Sequence, residues 1–91
     1  MLQLDYDIVV FLEGKAYVAY CPELDVSSCG SDVDEAKKNL KTAVRLFLEE
    51  TEKMGSLDQI LQEAGYVPDN KGGYLSPRLV ATENVSVAVG R

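Results

Sequence analysis

Residues 20–36 read Tyr-Cys-Pro-Glu-Leu-Asp-Val-Ser-Ser-Cys-Gly-Ser-Asp-Val-Asp-Glu-Ala, and this stretch decides the fold of the 91-residue chain. An apolar strand is predicted to end at Cys21-Pro22, and after a short turn another strand is predicted to end at Gly30. Asp32 stands where a helix N-cap belongs. Glu35 follows at capping-box spacing, at which two side chains satisfy orphan backbone N–H groups. The stretch therefore predicts strand, turn, strand, glycine hinge and capped helix.

The N-terminal half is predicted as a three-stranded meander. Alternation places a first strand at 2–12, with one face formed by Leu2, Leu4, Tyr6, Ile8, Val10 and Leu12. Val9 and Phe11 point to the opposite face. A hairpin turn at 13–15 leads to a second strand at 16–21, and the third strand covers 25–30.

The next segment is predicted as a long amphipathic helix over 33–54. Its apolar stripe, wide enough to cover one sheet face, comprises Val33, Ala36, Leu40, Ala43, Val44, Phe47 and Leu48. Acid-before-base pairs at 34–38 and 49–53 favour the helix, and Gly55 is expected to end it.

After Gly55 a short helix is predicted to begin at Ser56, with Gln59 completing a second capping box. Residues 67–73 are loop by composition. Alternation of Val85, Val87 and Val89 predicts a strand within 79–89. The fold class is thus α+β in the order β-β-β-α-α-β. The chain is one domain, 1–91, with a core at 1–54 and the short helix and last strand in 56–91.

Composition limits the classes of partner. The net charge is −6, which disfavours nonspecific binding to nucleic acid and suits a basic protein partner, although ordinary solubility explains such a charge equally well. No apolar run reaches the ~20 residues of a membrane span, and the first residues lack the features of a secretory leader. The sequence therefore predicts a cytoplasmic protein without membrane contact.

The residues that carry chemistry are few. The chain has two cysteines and no histidine, so it offers neither a zinc ligand set nor a base for a nucleophile. Cys21 and Cys29 flank a turn, and whether they pair stays open. Asp5 and Asp7 are not expected to converge with the helix carboxylates. We therefore predict no catalytic residues, no metal, no cofactor and no enzyme activity.

The run Tyr-Val-Ala-Tyr-Cys-Pro-Glu-Leu-Asp-Val at 17–26, followed by Gly30, Asp32 and Glu35-Ala36, resembles the HicB antitoxin family over residues 3–50. Cys29 and Asp32 depart from the polar residue and the Thr cap that are usual there. The resemblance implies a partial ribonuclease-H-like fold without a nuclease site. It also implies a domain that neutralises a small mRNA-cleaving toxin, HicA, by blocking its active site.

Many family members also carry a helix-turn-helix or ribbon-helix-helix that binds the operator. This chain has one short predicted helix after Gly55 and only three basic residues there, which are Lys71, Arg78 and Arg91. That is too few for a DNA-binding face, so we expect no direct contact with nucleic acid.

Two surfaces are predicted to meet partners. The residues expected to contact a small basic HicA-like toxin are Tyr20, Glu23, Asp25, Glu49, Glu50 and Glu52. The last three lie at a helix C-terminus, where the macrodipole prefers cations, so a solvated face is the alternative. A homo-oligomer, dimer or tetramer, is expected to cover apolar strands through Val9, Phe11, Val85, Val87 and Val89.

Two other functions remain open. One is a stand-alone oligomeric protein-binding module without a toxin, and a gene for a small basic protein beside its own would argue against that. An enzyme that processes nucleic acid is disfavoured by the scattered carboxylates and by the acidic charge.

Overall fold

A computed structural model describes residues 2–91 and has the predicted α+β architecture. Three strands come first, β1 (Val9–Glu13), β2 (Ala16–Cys21) and β3 (Val26–Gly30), followed by the helices α1 (Val33–Met54) and α2 (Leu57–Glu63). A small hairpin of β4 (Val67–Pro68) and β5 (Tyr74–Leu75) completes the secondary structure. None of the helices in this range is both long and apolar enough to cross a membrane.

The first three strands form the predicted antiparallel meander, in the order β1-β2-β3. Gly14 and Lys15 make the turn between β1 and β2. The second turn is closed by the Asp25 N–H, which donates to the Cys21 carbonyl at 2.9 Å. Asp25 has a φ of 55°, a left-handed conformation that Asp tolerates better than most residues. Leu24 is buried, which anchors this turn to the core.

Both ends of α1 are set by local hydrogen bonds. The Asp32 carboxylate accepts the Glu35 N–H at 2.7 Å, as predicted for an N-cap. The Glu35 carboxylate accepts the N–H of Ser31 at 2.9 Å, one residue before the cap, so the capping box is shifted by one position. At the other end Gly55 has a φ of 75°, and its N–H donates to the Glu52 carbonyl. That left-handed conformation ends the helix where the sequence predicts.

Helix α1 packs across β2 and β3 and contributes Ala36, Leu40 and Val44 to the core. The core consists of Ala19, Cys21, Leu24, Ala36, Leu40, Val44, Leu57, Leu61 and Tyr66. Gly30 lies so close to the first turn of α1 that a Cβ there would be 2.5 Å from the Ala36 nitrogen. The absence of a side chain at Gly30 therefore allows β3 and α1 to meet.

The opposite side of the meander is not covered by α1. Val10 pairs with the buried Ala19 and shares its face, so Val9 and Phe11 lie on the other side, as predicted. We call this side the open face; it consists of Val9, Phe11, Val18, Tyr20 and Cys29. Phe11 is 54% exposed, whereas Val9, Val18 and Tyr20 are half-buried.

The first strand is shorter than predicted. β1 spans 9–13 rather than 2–12, although Leu4, Tyr6 and Ile8 still pack against the core. The reason is that the paired strand β2 begins at Ala16 and ends at Cys21, so residues before Val9 have no strand beside them. Leu12, expected in the core, is exposed because α1 covers β2 and β3 more than β1.

Three local predictions after the first cap are also wrong. Ser56 makes no side-chain cap bond, and Gln59 donates to Glu63 instead of returning to the helix start. Within residues 2–91 the ion pair on α1 is Arg45–Glu49, rather than the expected pairs at 34–38 and 49–53. The segment at 67–73, expected as loop, begins with β4, and the Asp69 carboxylate organises its turn by accepting the N–H groups of Lys71 and Gly73, each at 2.8 Å.

The strand predicted within 79–89 is absent. Residues 76–91 contain no secondary structure, and Val85, Val87 and Val89 are all exposed. The radius of gyration is 15.7 Å, above the roughly 12 Å expected for a globule of this length, because these residues project from the rest. Alternating valines have β-propensity, but a strand forms only beside another strand, and this chain supplies none to the tail.

Candidate functional site

One concave surface lies at the C-terminal end of α1, where the helix meets the N-terminal segment and the start of α2. It is an open groove of about 480 Å³. The residues that line it are Leu2, Leu4, Leu48, Leu57, Glu49, Glu52 and Lys53. We call it the leucine groove, since four of its seven lining residues are leucines and the other three are charged.

The groove divides the acidic cluster predicted from the sequence. Glu49 and Glu52 are three residues apart, which places them on the same side of α1, and both line the groove. Glu50 does not line it. Glu49 is partly compensated, since the Arg45 Nε lies 3.8 Å from its carboxylate, but both side chains are well exposed and such a pair contributes little. Lys53 also lines the groove, so its charged lining residues sum to −1 before Arg45 is counted.

Tyr20 and Asp25, predicted to contact a partner, bind each other at the end of β2. The Tyr20 hydroxyl donates to the Asp25 carboxylate at 2.9 Å. This bond raises the pKa of Tyr20, because the carboxylate stabilises the protonated phenol. Tyr20 belongs to the open face, whereas the glutamates line the leucine groove. The predicted partner-binding residues thus fall on two separate surfaces.

Glu23 is engaged inside the protomer. Both oxygens of its carboxylate accept the Asp7 N–H, at 3.1 and 3.2 Å, and one also accepts the Cys21 thiol at 3.5 Å. The Asp7 carboxylate in turn accepts the Leu79 N–H at 2.9 Å. Glu23 therefore fastens the N-terminal segment to the turn between β2 and β3.

Asp5 and Asp7 are the carboxylates that the sequence places on one face of the first predicted strand. Asp5 and Asp7 line a second groove of about 640 Å³ together with Arg78, which supplies a positive charge where a cation would have to bind. Within residues 2–91, no three side chains among Asp, Glu, Cys and His are placed to hold a metal ion.

The two cysteines lie on opposite faces of the sheet. Cys21 is fully buried on the side of α1, and burial raises the pKa of its thiol to about 11, so it is protonated and unreactive near neutral pH. Cys29 is exposed on the open face. Both thiols are free, because side chains that point to opposite faces of one sheet cannot be bridged.

Comparisons with models of known protein families, with curated proteins and with solved structures find no match to this chain. The resemblance to the HicB antitoxins stays a prediction based on the residues at 17–36. The function proposed below depends on those residues and on the geometry of the leucine groove.

Sequence reasoning missed the leucine groove. Glu49 and Glu52 were singled out as part of an acidic cluster, whereas Leu2 and Leu4 were assigned to a strand and Leu57 to a separate short helix. The available signal was the alternation of apolar residues at 2–8. It makes the first predicted strand longer than β2, the strand of six residues that pairs with it. Only the packing of three distant segments shows that these leucines meet beside Glu49 and Glu52.

Proposed function

We propose that this chain is an antitoxin-like protein that binds and neutralises a small basic toxin of the HicA type, which cleaves mRNA. The observation that supports it best is the leucine groove, which is lined by four leucines together with Glu49, Glu52 and Lys53. Such a surface suits a partner that presents a long apolar side chain flanked by Lys or Arg.

The chemistry of an RNA-cleaving toxin fits this surface. A protein that binds RNA presents cations for the phosphates, and an acidic protein is attracted to the same cations. The chain carries a net charge of −6, so its field would steer a basic toxin toward it. In this proposal the carboxylates occupy the region of the toxin that RNA would contact, and the leucines provide the apolar burial that slows dissociation.

The chain itself acts as an inhibitor and not as an enzyme in this proposal, and it does so in the cytoplasm, where mRNA is found. The neutralising complex needs no cofactor. The groove lined by Asp5, Asp7 and Arg78 has no part in it.

A second candidate function is a stand-alone, homo-oligomeric protein-binding module. The observation that favours it is the open face, where Phe11 is 54% exposed without a covering element. Under this alternative the apolar surfaces serve assembly alone. The two candidates differ in whether a basic partner exists.

The test uses the full chain as bait in an extract of its source cell. We expect it to retain a basic protein smaller than itself that cleaves RNA when purified, and a stoichiometric amount of the full chain should suppress that cleavage. Absence of such a partner would leave the stand-alone module as the better candidate.

A matched pair of variants then tests the groove. Glu49→Gln/Glu52→Gln and Asp34→Asn/Glu63→Gln each remove two exposed carboxylates, so their net charges are equal. We expect the first double variant to slow association with the captured toxin roughly tenfold at low salt and much less at high salt. The second should associate within about twofold of the unchanged chain. Equal slowing in both would show that net charge, rather than the groove, attracts the toxin.

A further inference from the structure

Residues 80–91 form the C-terminal tail of the chain, and they support an inference that does not depend on any toxin. Its starting point is fixed: the Leu79 N–H donates to the Asp7 carboxylate at 2.9 Å, just before β1. Beyond Leu79 every residue to Arg91 is exposed. The chain is therefore anchored beside β1 and then leaves the molecule.

The tail has the pattern of a strand without a partner. Val85, Val87 and Val89 alternate with Ser86 and Ala88, so one side of an extended chain would be entirely valine. Val87 is 83% exposed. A contiguous row of exposed β-branched side chains is unusual in a protein that stays single, and it marks a surface that becomes covered.

The meander has two free edges, and they differ. At the β3 edge the side-chain amide of Asn39 donates to the Cys29 carbonyl at 2.8 Å, and α1 packs closely over this strand. No side chain within residues 2–91 makes a hydrogen bond to a backbone group of β1. β1 is also the more apolar strand, with Phe11 and Leu12 both more than half exposed. The β1 edge is thus the better acceptor of an added strand.

We infer that residues 85–89 of one chain add as a strand to the free edge of β1 in a second copy, so that two chains exchange their tails. The two segments match in length, since β1 also has five residues. Residues 80–84 supply a connection of roughly 16 Å when extended. A symmetric pair satisfies both edges and both tails at once, which closes the assembly at two chains. In this arrangement Val85, Val87 and Val89 lie beside the exposed residues of β1, Phe11 and Leu12.

The experiment compares two aspartate variants of the full chain by light scattering and by hydrogen exchange. Val87→Asp places a charge in the exchanged strand, whereas Val80→Asp places the same charge at a position that is 91% exposed and outside it. We expect the unchanged chain and Val80→Asp to have twice the 10.0 kDa chain mass at micromolar concentration. Val87→Asp should dissociate roughly tenfold more readily, because each pair of chains would carry two Asp side chains at strand positions that favour β-branched residues.

Hydrogen exchange identifies the edge. The outward amides of β1 should be protected in the unchanged chain and in Val80→Asp, and lose that protection in Val87→Asp. Unfolding of Val87→Asp, but not of Val80→Asp, would also support the inference. Val87 is exposed in the single chain, so its replacement would not destabilise the fold of a chain that stays single. A species of 10.0 kDa for the unchanged chain, equal behaviour of the two variants, or unchanged β1 protection in Val87→Asp would overturn it.

Discussion

At the scale of single residues, the alternation of side chains along β2 and β3 decides whether each cysteine is buried or exposed. Cys21 and Cys29 lie only eight positions apart in the stretch that directs the fold. Cys21 pairs with Val26, and Cys29 pairs with Val18, so the two thiols are offset along β2 as well as turned to opposite faces. One thiol belongs to the core and the other to the surface.

We predict that the two thiols differ strongly in reactivity. At pH 8 an aromatic disulfide reagent should modify one thiol per chain rapidly and the other at least ~100-fold more slowly, because only the thiolate reacts and Cys21 is buried with a pKa of about 11. The slow rate should rise as the pH approaches that value. Cys29→Ser should remove the fast phase and leave the slow one. Two fast thiols, or none in the absence of reductant, would contradict the assignment.

At the scale of elements, the contact between β3 and α1 organises the domain. β3 ends at Gly30 and α1 begins at Val33, so the chain reverses direction over two residues, Ser31 and Asp32. A Cβ at Gly30 would lie 2.5 Å from the Ala36 nitrogen and 2.9 Å from the Glu35 Cβ. The Ala36 N–H is already bonded to the Asp32 carbonyl at 3.0 Å. Because this hydrogen bond holds the first turn of α1, its backbone cannot shift to make room for a side chain at Gly30.

We therefore predict that Gly30→Ala lowers the free energy of unfolding by roughly 2–3 kcal/mol, the usual cost of overpacking a tight contact. Urea unfolding followed by circular dichroism measures it. Gly90→Ala is the matched control, because nothing lies within 4 Å of its added Cβ, and it should change stability by less than about 0.5 kcal/mol. Equal stability of both variants would mean that β3 and α1 separate at little cost.

At the scale of the whole molecule, hydrogen bonds over long sequence distances join the two halves of the chain. The Tyr66 hydroxyl, after α2, donates to the Asp5 carbonyl at 2.6 Å across 61 positions. Burial raises the pKa of Tyr66, so the phenol stays a donor at physiological pH. The Asp7–Leu79 bond spans 72 positions. These bonds hold the N-terminal segment in place beside the leucine groove.

We predict that Tyr66→Phe destabilises the protein by about 1–2 kcal/mol, because the Asp5 carbonyl loses its donor in a partly buried site. Tyr74→Phe is a close control: the Tyr74 hydroxyl donates to Asp58 over the same 2.6 Å, but at an exposed position. It should cost less than about 0.5 kcal/mol. Chemical unfolding of both variants checks the difference, and a larger loss for Tyr74→Phe would contradict the role given to Tyr66.

The sequence by itself determined the elements whose signals are local. The Asp32 cap, the Gly55 stop and the strand at 16–21 were predicted correctly, because a cap or a stop is decided by groups within a few residues of each other. The face of Val9 and Phe11 also followed from strand alternation alone. The second capping box shows the limit of such signals, since Ser56 instead donates to the Thr51 carbonyl at 3.4 Å, behind it in the chain.

Only the tertiary structure decided where distant segments meet. The leucine groove needs Leu2, Leu48 and Leu57 to come together, and the role of Glu23 needs Asp7 to lie beside it. The tail gives the same lesson in reverse: Val85, Val87 and Val89 have the pattern of a strand, yet residues 76–91 form none. A strand is stabilised by hydrogen bonds to a neighbour, and whether a neighbour exists depends on the packing of the whole chain and on the copies it meets.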